Sequence, residues 1–167
     1  MESTRHQAGR GARSGYCAPP QRNPRPDLVN EPDAHADAPV HGVVGILVRG
    51  DCILLIRRAT HIAAGGAWCL PGGALEPGEK LEDAVVRELD EELGADVRPV
   101  REVWRSTREE DGLVLHWWLV EPARSDDWTL RPNPDEVAEY RWLTPAEAIA
   151  LPGLLPTNRA FLRQWSS

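Results

Sequence analysis

Several features that are common in other protein classes are scarce or missing in this chain. Its three cysteines, Cys17, Cys52 and Cys69, form neither a zinc-binding pattern nor an even-numbered disulfide framework. It contains no apolar run long enough for a secretory signal or a transmembrane helix. These absences argue against a disulfide-rich secreted protein and an integral membrane protein, and they predict a protein of the reducing cytoplasm.

Positive charge is also in short supply, and nearly all of it comes from arginine. The formal net charge is −7, and Lys80 is the only lysine. A protein this acidic repels polyanions, so we expect no stable binding to nucleic acid and none to an anionic membrane. An anionic small-molecule substrate would instead need a metal ion or local arginines, whose guanidinium groups suit bidentate phosphate contacts.

The composition divides the chain near residue 40. Residues 1–39 are rich in Pro, Gly, Ala and Arg and lack apolar periodicity, which predicts a disordered tail. Residues 40–167 are long enough for one domain with a sizeable core. Within them, apolar periodicity and turn residues predict three helices and six strands, an α/β fold with a sheet between helices. The strands are predicted at residues 43–48, 53–56, 68–70, 97–104, 113–120 and 140–143.

The most informative segment is residues 73–95, in which acidic residues follow a helical period. Glu88, Glu91 and Glu92 are spaced i, i+3 and i+4, so they share one face of the predicted helix and repel each other. Glu88 and Glu92 project beside the apolar stripe that should face the core. A carboxylate directed toward a core must be neutralised, paired or metal-bound, and a hard divalent cation held by oxygens meets that need. The alternative is an acidic surface helix.

The sequence also indicates where this helix begins and ends and which residues lie on its outer side. Pro77-Gly78 precedes it, and Gly94 suits the left-handed position after its last turn. We expect Arg87 on the solvated side, together with Asp83 and Asp90. Arg87 is nevertheless within i+4 reach of Glu91, and that pairing would hold the carboxylate in place.

The segment resembles the motif that defines the Nudix family. Every fixed position of that motif is present: Gly73, Glu79, Arg87-Glu88-Leu89, Glu91-Glu92 and Gly94. The one departure is Ala95, where the family normally has a bulky aliphatic residue. The resemblance implies an α/β/α sandwich with a mixed β-sheet. It also implies that metal-bound water hydrolyses a nucleoside diphosphate linked to another group, because metal must cancel the charge of that polyanion.

The resemblance implies roles for the residues at the motif positions. Glu88, Glu91 and Glu92 are expected to bind Mg²⁺, or Mn²⁺ in its place, and the Gly73 carbonyl is a further candidate ligand. Arg87 is expected to be part of the catalytic group. Glu79, which is also a motif position, is a lesser acid that supports the loop or holds a further metal.

Residues outside the motif resemble the MutT-like branch of the family. Arg58 lies where that branch contacts substrate phosphate, and the alternative is an exposed charge at a strand end. Glu136 lies where the branch carries an additional glutamate, acting as a general base or as a ligand to a further metal. Its neighbours Asp135 and Glu139 are rival candidates for the same role.

Further candidates concern recognition of a base. Asn158 lies where the MutT-like branch reads a purine edge, since an amide offers both a donor and an acceptor. The alternative is that Asn158 caps the last helix. Most of the seven tryptophans are expected in the core, and Trp117 or Trp118 is a candidate for stacking on a base. We expect His116 to be a hydrogen-bonded core histidine and Cys69 a packed residue without a catalytic role.

These patterns favour one function over two others. The favoured function is hydrolysis of a nucleoside triphosphate to monophosphate and pyrophosphate, in a MutT-like clearance of oxidised purine nucleotides such as 8-oxo-dGTP. The second is the same chemistry on a linked nucleoside diphosphate, such as an NDP-sugar or ADP-ribose. The third is a ligand-sensing domain without catalysis, which would have no need to keep its metal ligands. The expected partner is a nucleotide, and the chain is expected to be a monomer or a homodimer.

Overall fold

A computed structural model describes residues 39–124 and 127–165. Apart from Pro39, the tail predicted over residues 1–39 therefore lies outside the described residues. The described part of the chain contains six strands and three helices, in the order β1 (His41–Arg49), β2 (Cys52–Arg58), β3 (Trp68–Cys69), α1 (Leu81–Leu93), β4 (Val97–Thr107), β5 (Val114–Pro122), β6 (Val137–Leu143), α2 (Pro145–Ala150) and α3 (Pro156–Trp165). Every predicted strand and helix is present, and β4 and β6 are each three residues longer than expected.

The strands form one mixed sheet, which was the predicted class. Its order is β3-β2-β1-β5-β4, and β6 pairs with β2. The predicted hairpin of β1 and β2 exists, but it pairs only next to its turn, at Val48 with Ile53 and at Arg49 with Cys52. The main partner of β1 is β5, which runs parallel to it over seven residue pairs. This pairing places β5 inside the sheet, as its two apolar faces predicted.

Helices cover both faces of the sheet, which confirms the α/β/α sandwich. Alternate residues of β1 point to opposite faces: Val43 and Leu47 pack with α1, whereas Val44 and Ile46 pack with α2 and α3. A β-carbon at Gly45 would lie only 2.7 Å from Leu89 Cδ1. The glycine therefore lets α1 pack directly against the central strand.

The ends of α1 and α2 follow the sequence rules for helix termini. Gly94 ends α1 in the left-handed conformation, with φ at 56°, and its N–H donates to Asp90 O at 2.8 Å. Ala95 behind it is buried, so the departure from the family motif concerns packing. A capping box between Thr144 and Glu147 begins α2, as predicted. None of the helices among the described residues is long and apolar enough to cross a membrane.

Candidate active site

The loop before α1 is hydrogen-bonded to the edge of β1 that faces away from β5. The main-chain N–H groups of Val43 and Gly45 donate to Gly73 O at 2.9 Å and to Pro71 O at 2.8 Å. Gly72 has φ of 143°, and a β-carbon there would lie 2.1 Å from Val43 O. A β-carbon at Gly73 would lie 2.3 Å from Glu88 Oε2. The two glycines therefore let this loop fit between the central strand and the carboxylate of Glu88.

Glu92 is the most deeply buried acid of the motif. Only 4% of its surface is exposed, and its Oε2 accepts a hydrogen bond from Gly72 N at 2.8 Å. Burial raises the pKa of Glu92 to about 8, and the negative charges of Glu88 and Glu136 add to the rise. The Gly72 hydrogen bond and the Arg58 charge oppose it. Glu92 thus lies on the inward side of α1, as predicted, without enough positive charge to balance it.

Glu88 is the second inward carboxylate, and 12% of its side chain is exposed. Burial raises its pKa, while a 2.8 Å hydrogen bond from Arg87 lowers it. The charges of Glu91 and Glu136 raise it further. The structure therefore excludes the alternative of a merely acidic surface helix, because two of the three acids face the interior.

Arg87 does not lie where the helical period predicted. We expected it on the solvated side, but its side chain is only 24% exposed and bends back toward the loop before α1. It donates to both carboxylate oxygens of Glu79, to Glu88, to Glu91 at 3.2 Å and to Ala74 O at 3.0 Å. The prediction of its side was wrong because a helical wheel places the α-carbon, whereas the long arginine side chain follows the surrounding acids.

The contacts of Arg87 organise the outer acids of the motif. The predicted i+4 pair with Glu91 is confirmed, and the Glu91 side chain remains 52% exposed. The hydrogen bond from Arg87 lowers the pKa of Glu79 to about 2, with help from the Glu76 main-chain N–H. Glu79 lies before α1 and ties the loop to the helix through Arg87. It is thus an ion-pair partner of the same guanidinium that holds Glu88 and Glu91.

The structure separates Glu136 from its two rival candidates. The Glu136 charge acts on both Glu88 and Glu92, and its Oε1 accepts a 3.3 Å hydrogen bond from Asn133 Nδ2. Asp135 is exposed. Glu139 pairs with Arg141 at 2.5 Å and with Arg57 at 3.9 Å. Of the three acids, Glu136 is the one whose negative charge raises the pKa of Glu88 and of Glu92.

The donor atoms in this region fit a hard divalent cation that also binds the substrate. Within residues 39–124 and 127–165, no three His, Cys, Asp or Glu side chains are arranged as a complete metal site. Mg²⁺ in proteins is commonly held by one or two carboxylates, with water and substrate phosphates completing its shell. Glu88 and Glu92 supply such a pair, and burial together with the neighbouring acids raises the pKa of each. The Gly73 carbonyl accepts a hydrogen bond from Val43 N and keeps one lone pair free.

A cavity of about 300 Å³ opens beside the loop that carries Gly72 and Gly73. Arg58 and Asn158 both line it, so the structure brings together three regions that are far apart in the sequence. Leu113 and Leu115 form an aliphatic wall. Two larger clefts, of about 530 and 390 Å³, lie away from this loop, whereas Gly72, which lines the 300 Å³ cavity, donates its N–H to Glu92. The 300 Å³ cavity is therefore the candidate substrate site.

Arg58 and Cys69 contact each other at this cavity. Arg58 is half-buried, and its Nε donates to Ala63 O at 2.8 Å. Its charge also acts on Glu92, so it is not the exposed strand-end charge of the alternative interpretation. Cys69 is buried, and burial raises the pKa of its thiol to about 12. That value keeps the thiol protonated and confirms Cys69 as a packed residue.

Asn158 is buried in the cavity wall, where it is 4% exposed. Its Oδ1 accepts a 2.7 Å hydrogen bond from Leu70 N, and its Nδ2 lies 3.4 Å from Thr157 Oγ1. The capping alternative is wrong, because Asn158 lies inside α3 and bonds to the segment after β3.

The predicted aromatic candidates do not reach the cavity. Trp117 and Trp118 are buried on opposite faces of the sheet, and neither lines it. His116 is the hydrogen-bonded core histidine that we expected, with ring nitrogens 2.9 Å from His41 Nδ1 and 3.0 Å from Glu102 Oε1.

Arg108, which the sequence interpretation missed, does line the cavity. No local sequence signal marks it, because its position depends on β5 pairing with β1.

Comparison with known proteins agrees with the fold and the motif. The family model described as the NUDIX domain matches residues 39–165. A CTP pyrophosphohydrolase of Escherichia coli (strain K12) is 34% identical over 112 residues, which cover 66% of this chain and 79% of that protein. An RNA pyrophosphohydrolase of Novosphingobium aromaticivorans is 31% identical over 153 residues, covering 79% and 93%. The crystal structure of a MutT NUDIX hydrolase from Burkholderia pseudomallei has a TM-score of 0.58 and 29% identity, covering 77% of this chain and 98% of that one.

The match over nearly all described residues and the acids of α1 support the same assignment. The two relatives described above are both named as pyrophosphohydrolases. The chain therefore belongs to the Nudix family and is a hydrolase that acts on phosphoanhydride bonds.

Proposed function

We propose that the protein hydrolyses a nucleoside triphosphate to the monophosphate and pyrophosphate in a reaction that requires Mg²⁺, for which Mn²⁺ can substitute. The observation that carries the proposal is the pair of inward carboxylates, Glu88 and Glu92, behind the Gly72-Gly73 loop. This loop, Arg58 and Asn158 line the cavity, and Gly72 N donates to Glu92. Two relatives support this reaction: one is named as a CTP pyrophosphohydrolase and the other as an RNA pyrophosphohydrolase.

The motif acids would hold the cation. Glu88 and Glu92 lie inside, and Glu91 lies further out, where Arg87 fixes its carboxylate. The Gly73 carbonyl has a free lone pair for the same purpose. When bound, the cation neutralises phosphate oxygens and lowers the pKa of a water molecule. The geometry around Arg87 positions Glu88 and Glu91 together, because one guanidinium donates to both.

Residues outside the motif would handle the water and the phosphates. The negative charge of Glu136 acts on Glu88 and Glu92. Glu136 is therefore the candidate base that accepts a proton from the attacking water. Arg58 would bind a substrate phosphate, because it lines the cavity and its charge already acts on Glu92. Its Nε is held by Ala63 O and the guanidinium also contacts Cys69, which leaves the remaining N–H groups for the phosphate.

Asn158 would discriminate between bases. The Leu70 N–H holds its Oδ1, so the amide has a defined orientation. The Nδ2 group makes only a long contact with Thr157, and it can donate to an acceptor on a base edge. Guanine presents such an acceptor at O6, and 8-oxoguanine adds a second one at O8 while its N7 carries a hydrogen. Oxidised purine nucleotides such as 8-oxo-dGTP are accordingly the substrates that we propose to test first.

The test is a panel of nucleoside triphosphates and linked nucleoside diphosphates, incubated with Mg²⁺ and analysed for products by mass spectrometry. The proposal expects a nucleoside monophosphate and pyrophosphate from a triphosphate. Two monophosphates from an NDP-sugar or ADP-ribose, with triphosphates left intact, would replace it by the linked-diphosphate function. Cleavage of no compound would remove the catalytic proposal.

A matched pair of variants connects turnover to the inward carboxylates. Glu92→Gln is expected to lower turnover by about 10²-fold or more, while the protein remains folded. Glu82→Gln makes the same chemical change at an exposed position of the same helix and is expected to leave turnover unchanged. Equal turnover in both variants would contradict the assignment of Glu92.

A further inference from the structure

The candidate substrate cavity lacks aromatic side chains. No Trp, Tyr or Phe of the described part of the chain lines it, although the protein has seven tryptophans. Trp68, Trp117 and Trp118 are buried in the core. A nucleobase in this cavity would therefore meet aliphatic side chains and the planar groups of polar residues. Because stacking on a planar group is a major source of nucleobase affinity, the cavity raises the question of which residue supplies that plane.

Arg108 presents a planar group in a fixed orientation. It lies in the connection from β4 to β5, and it lines the cavity together with Leu113. Its Nε donates to Asp111 Oδ1 at 2.8 Å, and its Nη2 donates to Asp111 Oδ2. This two-point contact fixes the plane of the guanidinium group. The main chain of the turn is closed by a 2.8 Å hydrogen bond from Arg108 N to Leu113 O.

The electrostatic surroundings distinguish Arg108 from the other arginine of the cavity. Arg58 acts on Glu92 and thus lies on the side of the motif acids. The acids that pair with Arg108 are Asp111 and Glu110, the latter at 4.0 Å. Their charges balance that of Arg108, which weakens its attraction for a substrate phosphate. What Arg108 offers the cavity is a flat cationic surface beside an aliphatic wall.

We propose that Arg108 is a substrate-binding residue whose guanidinium plane stacks on the nucleobase. Arginine stacks on aromatic rings through its planar, weakly hydrated cation. Because every base has a π-face, this contact adds affinity for all nucleotides, and discrimination between them is left to Asn158. The proposal rests on the proposed function, since it takes the substrate to be a nucleotide.

Two substitutions separate the plane of Arg108 from its charge. Arg108→Lys keeps the charge and loses the plane, whereas Arg108→Gln keeps a planar amide and loses the charge. The matched control is Arg105→Lys, because Arg105 makes a similar two-point contact with Glu102, at 3.0 and 3.1 Å, on β4 and outside the cavity. The measurement is the dissociation constant of nucleoside monophosphates with different bases, by NMR titration in the presence of Mg²⁺. Ribose 5-phosphate serves as the ligand that lacks a base.

Arg108→Lys is expected to weaken binding of every nucleoside monophosphate by roughly fivefold or more and to leave ribose 5-phosphate unchanged. Arg108→Gln is expected to retain more affinity than Arg108→Lys, and Arg105→Lys is expected to match the wild type. Equal weakening of ribose 5-phosphate would overturn the proposal in favour of phosphate binding. Unchanged nucleotide binding, or a larger loss in Arg108→Gln than in Arg108→Lys, would also overturn it.

The binding measurement can fail independently of the proposed function. If the wild type releases pyrophosphate from nucleoside triphosphates and Arg108→Lys binds nucleotides normally, only the stacking role of Arg108 is refuted. If the wild type binds nucleotides with the expected dependence on Arg108 but cleaves none of them, only the proposed function is refuted.

Discussion

Replacement of Asn158 by alanine tests the cavity wall through both stability and specificity. The Asn158 side chain is 4% exposed, and its Oδ1 accepts a 2.7 Å hydrogen bond from the main-chain N–H of Leu70, a residue that is itself 3% exposed. Asn158→Ala removes the acceptor and leaves that N–H buried without a partner. An unpaired buried donor costs about 1–3 kcal/mol, so we expect the free energy of unfolding to fall by about 2 kcal/mol.

The assay is thermal and denaturant unfolding of the variant beside a control. For a domain of this size, the expected loss corresponds to a decrease in Tm of about 5–10 °C. Gln164→Ala is the control, because Gln164 is an exposed residue of the same helix. Its substitution should change the free energy of unfolding by less than about 0.5 kcal/mol. If Asn158→Ala unfolds at the same temperature as the control, the hydrogen bond to Leu70 does not stabilise the fold.

The same variant also tests base recognition. At a temperature where Asn158→Ala is fully folded, we expect the ratio of kcat/KM for 8-oxo-dGTP to that for dGTP to move toward one. The physical reason is the loss of the Nδ2 donor from the cavity wall, since 8-oxoguanine has an acceptor at O8 that guanine lacks. An unchanged ratio, together with a clear loss of stability, would restrict Asn158 to a structural role.

Three further changes probe the same site. Gly73→Ala places a β-carbon 2.3 Å from Glu88 Oε2, so we expect the carboxylate to be displaced and turnover to fall at least tenfold with a near-native melting temperature; full turnover would contradict this packing. Removal of divalent cations with EDTA should abolish turnover, and Mg²⁺ or Mn²⁺ should restore it. Turnover that persists in EDTA would contradict the proposal that the motif acids bind a cation needed for the reaction. In a Cys17→Ser background, half-buried Cys52 should react with a thiol reagent at pH 8. Cys69 should react only on unfolding, because burial raises the pKa of its thiol to about 12. Rapid labelling of Cys69 in the folded protein would show that its thiol is not buried as described.

The inward acids of α1 break a local rule of folding. Glu92 lies among core residues with a carboxylate that burial disfavours, and Glu88 and Glu136 add repulsion. A sequence selected for stability alone would place apolar residues on that side of the helix. The departure from the rule is where we propose that the chemistry of the protein resides, and an acid on the apolar side of a helix is visible in the sequence.

The features that the sequence determined by itself are local. The apolar period of α1, its end at Gly94 and the capping box of α2 depend on residues within a few positions of one another, and the structure has each of them. The inward direction of Glu88 and Glu92 follows from the same period. The Nudix motif is likewise a contiguous segment, so the family and its phosphoanhydride chemistry were accessible without coordinates.

The features that only the tertiary structure decided depend on contacts between distant segments. The parallel pairing of β1 with β5 joins residues that are more than seventy positions apart, and it brings Arg108 to the cavity. The contact of Asn158 with Leu70 spans 88 positions. The direction of Arg87 followed its acidic neighbours rather than the helical period. Helical and strand periods specify which side of an element is apolar, but only the packed chain decides which side chains from remote elements share one cavity.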